Sequence, residues 1–281
     1  MVEFYRGIWV VAYRELLRFV QERSRMISSF AFPLMFLVVF GAGFNRIVGT
    51  MTEGVDFIKF MYPGILSMTV VMSSMFSGMS IVWDREFGFL KEILVAPISR
   101  TGIVIGKALG GSAAAMAQGI ILLLLAPFLG ISLTFILVIK YLLLVLLLAL
   151  SLSGVGIFVA TRMRSQQGFQ MVMQLLIFPL IFLSGVFFPV DNVSPWVQVL
   201  AKVNPLTYGV DAVRQVFLEK DLALLTTDNM AETGLGVTVF GHRMGVLEDA
   251  IIIGVLGFVL LSAAVWSFCL LYTSPSPRDR G

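Results

Sequence analysis

Residues 133–161 read LTFILVIKYLLLVLLLALSLSGVGIFVAT and contain a single charged side chain, that of Lys140. A hydrocarbon core about 30 Å thick requires roughly 20 apolar residues in an α-helix that rises about 1.5 Å per residue. This stretch exceeds that length, and it is too apolar to lie on the surface of a soluble protein. It therefore predicts a helix that crosses a membrane.

The rest of the chain has a similar composition. Of its 281 residues, 58% are hydrophobic and 13% are charged, whereas a soluble domain has about 25% charged residues. Apolar runs long enough to be spans occur at about 27–44, 60–83, 103–129, 133–161, 172–188 and 246–272. A single helix over the third and fourth runs would be about 88 Å long, which no bilayer accommodates. We therefore predict an all-α polytopic membrane protein with six transmembrane helices.

The distribution of Lys and Arg predicts the orientation of these spans. Of the 20 basic residues, 13 fall on the side of the N-terminus, most of them before the first span and in the loop after the second. Short loops rich in Lys and Arg remain in the cytoplasm. We expect both termini to be cytoplasmic and the protein to lie in a prokaryotic plasma (inner) membrane. Lys107 and Lys140, near span ends, are expected to extend toward the lipid headgroups.

Several classes of function are disfavoured by composition. With Cys269 and His242 as the sole residues of their types, a disulfide framework, a metal site and histidine-dependent catalysis are not expected. A formal net charge of +3 is too small to argue for a nucleic-acid partner. Residues 273–281, TSPSPRDRG, break abruptly from the last apolar run, and we expect them to be a non-native tail.

Residues 3–25 predict an amphipathic helix at the membrane interface. Arg14, Arg18 and Arg25 share one side of a helical wheel, and Tyr5 and Trp9 lie on the opposite side. Such a helix lies along the headgroups with its aromatic residues at the boundary. Its Arg-rich face would meet lipid phosphate or a cytosolic partner protein, and the pattern leaves both open.

The loop from residue 84 to residue 100 is too long and too mixed in character for a simple turn. Phe87, Leu90 and Leu94 recur at helical spacing beside charged residues, and Pro97 would end the helix. A short amphipathic helix in such a loop is either an ordinary interfacial segment or a peg that enters a groove on another subunit.

Two motifs resemble the permeases of type-2 ATP-binding-cassette (ABC-2) transporters, in particular the drug-resistance and nodulation-type export permeases. The first comprises Arg85, Glu86, Gly88, Glu92, Leu94, Pro97, Arg100, Gly106 and Lys107. The second comprises residues 183–189 (LSGVFFP), Pro195, Trp196, residues 204–208 (NPLTY), Asp211 and Arg214. The resemblance covers roughly residues 1–272 and implies a single ABC-2 transmembrane domain with an N-terminal interface helix.

The resemblance implies that a separate cytosolic ATPase subunit, in two copies, supplies the energy. This chain would bind no cofactor itself, and ATP and Mg would be held by the partner. In agreement, residues 102–107 (GIVIGK) lack the spacing of a phosphate-binding loop. The resemblance places the contact with the ATPase at Arg85, Glu86, Phe87, Gly88, Leu90, Lys91, Glu92, Leu94 and Pro97, with a shorter contact at Arg162 and Arg164.

The segment after span five is predicted to lie on the outer side of the membrane. Prolines divide it into short pieces, which favours re-entrant or interfacial helices over a soluble domain. The resemblance implies that these helices cap the pathway from outside. The candidate cap residues are Pro189, Pro195, Trp196, Asn204, Pro205 and Tyr208.

Three stripes inside the predicted spans bear on the pathway. Gln167, Gln170 and Gln174 share a face of span five and either line the pathway or are solvated beyond the membrane. Met68, Met72 and Met75 form one face of span two, either as a wall for apolar substrates or as ordinary packing. Glycines 102, 106 and 110 allow close helix approach within one subunit or between subunits.

These observations favour a permease subunit that exports an amphiphilic substrate, drug-like or lipid-linked, in partnership with an ATPase, membrane lipid and a second permease copy. A homodimer is expected and a heterodimer remains open. Export of polysaccharide or glycolipid is an alternative within the same class. An ion-coupled carrier or an intramembrane enzyme is less favoured, because ionisable residues are lacking in the span interiors.

Overall fold

The computed structural model describes residues 2–22, 27, 30–39, 57–95, 98–187, 190, 194–222, 237–239 and 242–273. Helices form nearly all of this part of the chain. They are α1 Val2–Gln21, α2 Phe30–Val39, α3 Phe57–Met75, α4 Met79–Glu86, α5 Phe89–Val95, α6 Arg100–Leu123, α7 Phe135–Arg162, α8 Gln166–Leu183, α9 Pro195–Val203, α10 Pro205–Leu222 and α11 Val246–Thr273. Two short antiparallel strands, β1 Thr238–Val239 and β2 His242–Arg243, precede α11.

The prediction of an all-α polytopic membrane protein is confirmed. Among the described residues, five helices are long and apolar enough to cross a membrane: Ile58–Glu86, Arg100–Leu123, Phe135–Arg162, Gln166–Leu183 and Val246–Leu270. The first predicted span, 27–44, is described only at residue 27 and in α2, which is apolar but shorter than a span. The count of six therefore stays a prediction.

Side-chain caps determine where two of the long helices begin. The Ser99 hydroxyl accepts a hydrogen bond from the Gly102 N–H, and the Ser165 hydroxyl accepts one from the Gly168 N–H. A serine at this position satisfies one of the free N–H groups of the first turn. As a result α8 begins at Gln166, several residues before the predicted start at 172, and the predicted glutamine stripe belongs to the helix.

The helix α7 lies at the centre of the molecule and packs against α3, α6, α10 and α11. Its closest approach is to the short 3-10 turn Phe76–Gly78, which joins α3 to α4. A Cβ atom at Gly78 would overlap the backbone of Gly156, and one at Gly156 would overlap the backbone of Met75. Two glycines thus let α7 contact the α3–α4 junction backbone to backbone.

The N-terminal helix α1 lies against α6 within the same chain. A Cβ atom at Gly106 would stand 2.9 Å from the Ile8 carbonyl oxygen, and one at Gly110 would stand 2.8 Å from that of Ala12. Both distances are shorter than normal van der Waals contact. Of the two predicted roles for the glycine repeat, packing within one subunit is the one that the structure shows for Gly106 and Gly110.

We predict that Gly106→Ala lowers the stability of the protein by about 1–3 kcal/mol, because the added methyl group must push α1 away from α6. Gly254→Ala is the matched control, since its nearest neighbour would be Leu147 Cδ1 at 3.7 Å. The control should be neutral or slightly stabilising, because alanine favours a helix. Thermal unfolding in detergent micelles measures both, and equal melting temperatures for the two variants would contradict the predicted close packing.

Candidate functional site

A group of charged side chains lies between α1, α4 and α6, and we call Arg14, Glu15, Arg18, Asp84 and Lys107 the ion cluster. Lys107 Nζ donates to Asp84 Oδ2 at 2.8 Å, to Glu15 Oε1 at 3.0 Å and to Ser80 Oγ at 2.9 Å. The Nη2 atoms of Arg14 and Arg18 donate to Asp84 Oδ1 at 3.3 and 3.2 Å. Three segments distant in sequence are thereby held together.

The central pair of this ion cluster is fully buried. Asp84 is 1% exposed and Lys107 is 2% exposed. Removing two charges from water is costly unless each makes several hydrogen bonds. Here both carboxylate oxygens of Asp84 accept hydrogen bonds, and Lys107 uses its three N–H groups on three different partners. The arrangement is complete only while α1, α4 and α6 remain in contact.

The ion cluster adds inward contacts for two arginines and corrects one expectation from the sequence. Arg14 and Arg18 each donate one hydrogen bond inward to Asp84 while their side chains remain 42% and 30% exposed, so their contact with lipid phosphate or a partner stays a prediction. Lys107 does not extend to the headgroups, because two carboxylates and a hydroxyl hold it inside. A helical wheel groups residues by side but cannot show which side another helix covers, so Asp84 and Glu15 were missed as partners.

Arg85 and Glu86, the two residues after Asp84, connect α4 to the α7–α8 junction. The guanidinium of Arg85 donates to the carbonyl oxygens of Met163 at 2.6 Å and Thr161 at 2.9 Å. Glu86 Oε2 accepts a hydrogen bond from the Gln166 N–H, at the start of α8, at 3.2 Å. Two predicted ATPase contacts therefore join the two predicted coupling regions to each other. Arg162 and Arg164 are exposed on the same junction.

The short helix α5 follows directly, after Gly88 at a φ of 81°. Phe87, Phe89 and Val95 are 66%, 51% and 86% exposed, and Glu92 is exposed as well. Leu90 is 4% exposed, so it anchors α5 to the core and does not present itself to a partner, contrary to the sequence prediction. Lys91 and Leu94 also lie in α5, whereas the predicted residues Arg25, Pro97 and Pro189 fall outside the described residues.

A cavity of about 600 Å³ opens beside the ion cluster. Its walls come from α1, α2, α3, α4, α6 and α8. The lining residues that matter here are Glu15, Arg18, Glu22, Phe32, Met72, Ser73, Phe76, Ser80, Trp83, Gln118, Gln170 and Gln174. The cavity lining thus combines charged, apolar and amide side chains.

The cavity separates the predicted pathway residues into two groups. Gln170, Gln174 and Met72 line it, whereas Gln167, Met68 and Met75 do not. Met68 and Met75 are 1% and 0% exposed and belong to the packed core. Of the two roles that the sequence left open for the methionine stripe, packing is the one that the structure shows for Met68 and Met75, whereas Met72 lines the cavity. A spacing of three and four residues places side chains near one face, but neighbouring helices cover part of that face.

The segment predicted as an external cap contains α9 and α10, which begin at Pro195 and Pro205. Trp196 is 67% exposed. Asn204 is buried and its amide donates to the Leu180 carbonyl oxygen of α8 at 2.7 Å, and the Tyr208 hydroxyl donates to the Lys202 carbonyl oxygen at 2.6 Å. These two residues connect α8, α9 and α10 and do not face outward.

Residues 6–218 match the family model of the ABC-2 type transporter. The chain belongs to the ABC-2 type transporter family. It is thus a permease of the ABC transporter class and an integral membrane protein. The family is built from transmembrane subunits that work with an ATP-binding subunit.

Similar proteins carry transport names. A protein named as the transport permease ycf38 of Cyanophora paradoxa is 30% identical over 260 residues, covering 92% of this chain and 88% of that protein. The inner membrane transport permease YadH of Escherichia coli K12 is 29% identical over 69% of this chain and 75% of its own length. A protein of the same strain named as the multidrug ABC transporter permease YbhR is 30% identical over 60% of this chain and 46% of its own length.

We predict that Lys107→Met lowers the free energy of unfolding by roughly 3–5 kcal/mol, because Asp84 and Glu15 lose their buried partner. Asp84→Asn should cost a similar amount. The double variant should lower the free energy of unfolding by clearly less than the sum of the two single losses. With both side chains replaced, neither a buried Lys107 nor a buried Asp84 is left without its partner. Unfolding titrations in mixed micelles measure the cycle, and strictly additive losses would show that the two side chains do not interact.

Proposed function

We propose that this chain is the permease subunit of an ATP-driven exporter. It would sit in a prokaryotic inner membrane with both termini in the cytoplasm and pair with a second permease copy, most simply an identical one. Two copies of a cytosolic ATPase would bind ATP and Mg and hydrolyse the nucleotide. The substrate would be an amphiphilic molecule, drug-like or lipid-linked, that moves out of the cytoplasm.

The observation that carries this proposal is the position of the ion cluster between a docking segment and a cavity. Asp84 is followed within three residues by the exposed part of the α4–α5 turn. Glu15 and Ser80 bind Lys107, and Arg18 binds Asp84. All three residues also line the cavity. A displacement of α5 therefore reaches the cavity wall through one set of hydrogen bonds.

Three connections make this transmission rigid. Arg85 and Glu86 tie the end of α4 to the α7–α8 junction. Lys107 ties α4 to α6 and α1. Leu90 fixes α5 in the core. When an ATPase dimer closes and pushes on the exposed face of α5, α1, α4, α6 and α8 would move together, because each is linked to α4.

The lining of the cavity supports an amphiphilic substrate. Phe32, Met72, Phe76 and Trp83 offer adaptable apolar surface, and methionine in particular accommodates varied shapes. Gln170 and Gln174 add donors and acceptors to the same lining. A pocket with mainly apolar walls and a few polar groups is typical of small-molecule sites. Stimulation of ATP hydrolysis by a panel of candidate substrates, including glycolipids and drug-like cations, tests this substrate class against the glycan-export alternative.

We predict that Glu92→Lys reduces substrate-stimulated ATP hydrolysis by the assembled complex by about tenfold, equivalent to about 1.4 kcal/mol of lost coupling. Glu92 is exposed on α5, so the substitution changes the docking face without disturbing the core. Membrane insertion should be unchanged. Lys202→Glu, a charge reversal on α9, is the matched control and should retain wild-type stimulation. Unchanged coupling in Glu92→Lys would count against α5 as the docking element.

We also predict that Gln174→Leu changes the apparent affinity for a transported amphiphile by several-fold, because it replaces a polar part of the cavity wall. Gln167→Leu is the matched control, since it lies on the same helix outside the cavity lining. Stimulation of ATP hydrolysis as a function of amphiphile concentration measures the change. An equal effect of both substitutions would show that the cavity is not the substrate site.

A further inference from the structure

Three elements meet at the end of the molecule opposite α5: α10, the β1–β2 ribbon and the first turn of α11. The helix α11 runs alongside α7 in the same direction, since Gly254 lies near Leu147 and Ser267 bonds Thr161. The start of α11 is therefore remote from the ion cluster. Between the three elements lie the side chains of Asp211 and Gln215 from α10 and of Asp249 from α11.

One amide nitrogen joins these elements. Gln215 Nε2 lies 3.0 Å from Asp211 Oδ2, 3.0 Å from the Met244 carbonyl oxygen and 3.3 Å from Asp249 Oδ2. An amide nitrogen carries two hydrogens, so three acceptors compete for two donors. Asp211 Oδ2 also accepts the Val237 N–H at 2.9 Å, but Asp249 Oδ1 is buried without any hydrogen-bond partner. The site lacks donors.

Neither carboxyl group forms an ion pair with another described residue. Asp211 is 2% exposed and Asp249 is 0% exposed. In the part of the chain that the structure describes, no Lys, Arg or His nitrogen lies within 4 Å of either group. Arg214, the neighbour on α10, points instead to the Gly185 carbonyl oxygen at 2.7 Å and to the ring of Phe60.

The other charged or titratable groups around Asp211 and Asp249 do not neutralise the negative charge of the two carboxylates. Arg243 of the ribbon acts on Asp211 only at longer range. Glu248 of α11 adds negative charge and binds His242 and the Gly245 N–H. The hydroxyl of Tyr208, one turn earlier on α10, donates a hydrogen bond to the Lys202 carbonyl oxygen. Burial raises the pKa of the Asp211 carboxyl, although the Val237 N–H and Arg214 favour its charged form.

We propose that Asp211 and Asp249 share one proton, and that this proton holds the β1–β2 ribbon against α10 and α11. The shared proton supplies the donor that the three acceptors lack and removes one of two buried like charges. Loss of the proton leaves two adjacent carboxylates, which repel each other and attract water. The ribbon, bound through the Val237 N–H and the Met244 carbonyl oxygen, would then separate from α10.

The direction of the pH dependence follows from the pKa of Asp211, which the fold raises. A carboxyl group with a raised pKa binds its proton more tightly in the folded state than in the unfolded state. The stability that the bound proton contributes is fully present below the ordinary carboxyl pKa of about 4 and is lost as the pH rises through the raised pKa. The ribbon is therefore attached in acidic medium and released in alkaline medium, whatever substrate the permease moves.

Hydrogen–deuterium exchange of the full chain in lipid nanodiscs tests the proposal. Protection factors, corrected for the intrinsic exchange rate at each pH, are measured for the amide of Val237, which donates to Asp211. Between about pH 5 and about pH 9 the protection should fall at least about tenfold in the wild type. Asp249→Asn should abolish this dependence, and Glu248→Gln, its exposed neighbour, should preserve it.

A second measurement covers the case in which Asp249→Asn weakens the ribbon at every pH. The infrared C=O stretch of a buried protonated carboxylic acid should be present in the wild type and in Glu248→Gln at about pH 5 and absent from both Asp211→Asn and Asp249→Asn. Absence of this band in the wild type would overturn the proposal. So would pH-independent protection in the wild type, or an unchanged pH dependence in Asp249→Asn. None of these measurements requires the ATPase subunit.

Discussion

The contact between Asp84 and Lys107 is the constraint on which the predicted cytoplasmic half of the molecule depends. Two opposite charges 2.8 Å apart and almost entirely buried are stable only while every remaining hydrogen-bonding group of the pair is also satisfied. Glu15 and Ser80 satisfy Lys107, and Arg14 and Arg18 satisfy Asp84. The position of α1 against α6 is therefore set by charge as well as by the glycines that permit close approach.

This constraint also explains why the proposed docking segment and the cavity are adjacent. The residues after Asp84 leave the core in one turn, through Arg85 and Glu86 to the exposed Phe87. Ser80, about one turn before Asp84, and Phe76, about two turns before it, line the cavity. A single helix end therefore carries the proposed docking surface on one side of a buried charge and the cavity wall on the other. In an ABC-2 permease that pairs with an ATP-binding subunit, such a helix end can transmit force over a short distance.

The sequence predicted the class of the fold well, because a bilayer imposes simple demands on length and composition. Apolar runs identified the long helices, and the family was recognised from residues such as Arg85, Glu92 and Tyr208. The sequence predicted contacts poorly. It placed Lys107 at the lipid headgroups and left open whether Met68 and Met75 form a substrate wall or pack in the core, since a one-dimensional pattern cannot show which helix covers a face. The Asp211, Gln215 and Asp249 site was equally hidden, because its members lie on two helices far apart in the chain.

The emission of Trp83 gives the most direct test of the central claim, that closure of the ATPase reaches the cavity through the ion cluster. Trp83 precedes Asp84 and lines the cavity, and the other three tryptophans, Trp9, Trp196 and Trp266, are at least 64% exposed and can be replaced by Phe. In the assembled complex, binding of a non-hydrolysable ATP analogue should shift this emission, and Asp84→Asn should abolish the shift while the analogue still binds. If the Trp83 emission does not shift on binding of the analogue in a complex that hydrolyses ATP, the account is contradicted.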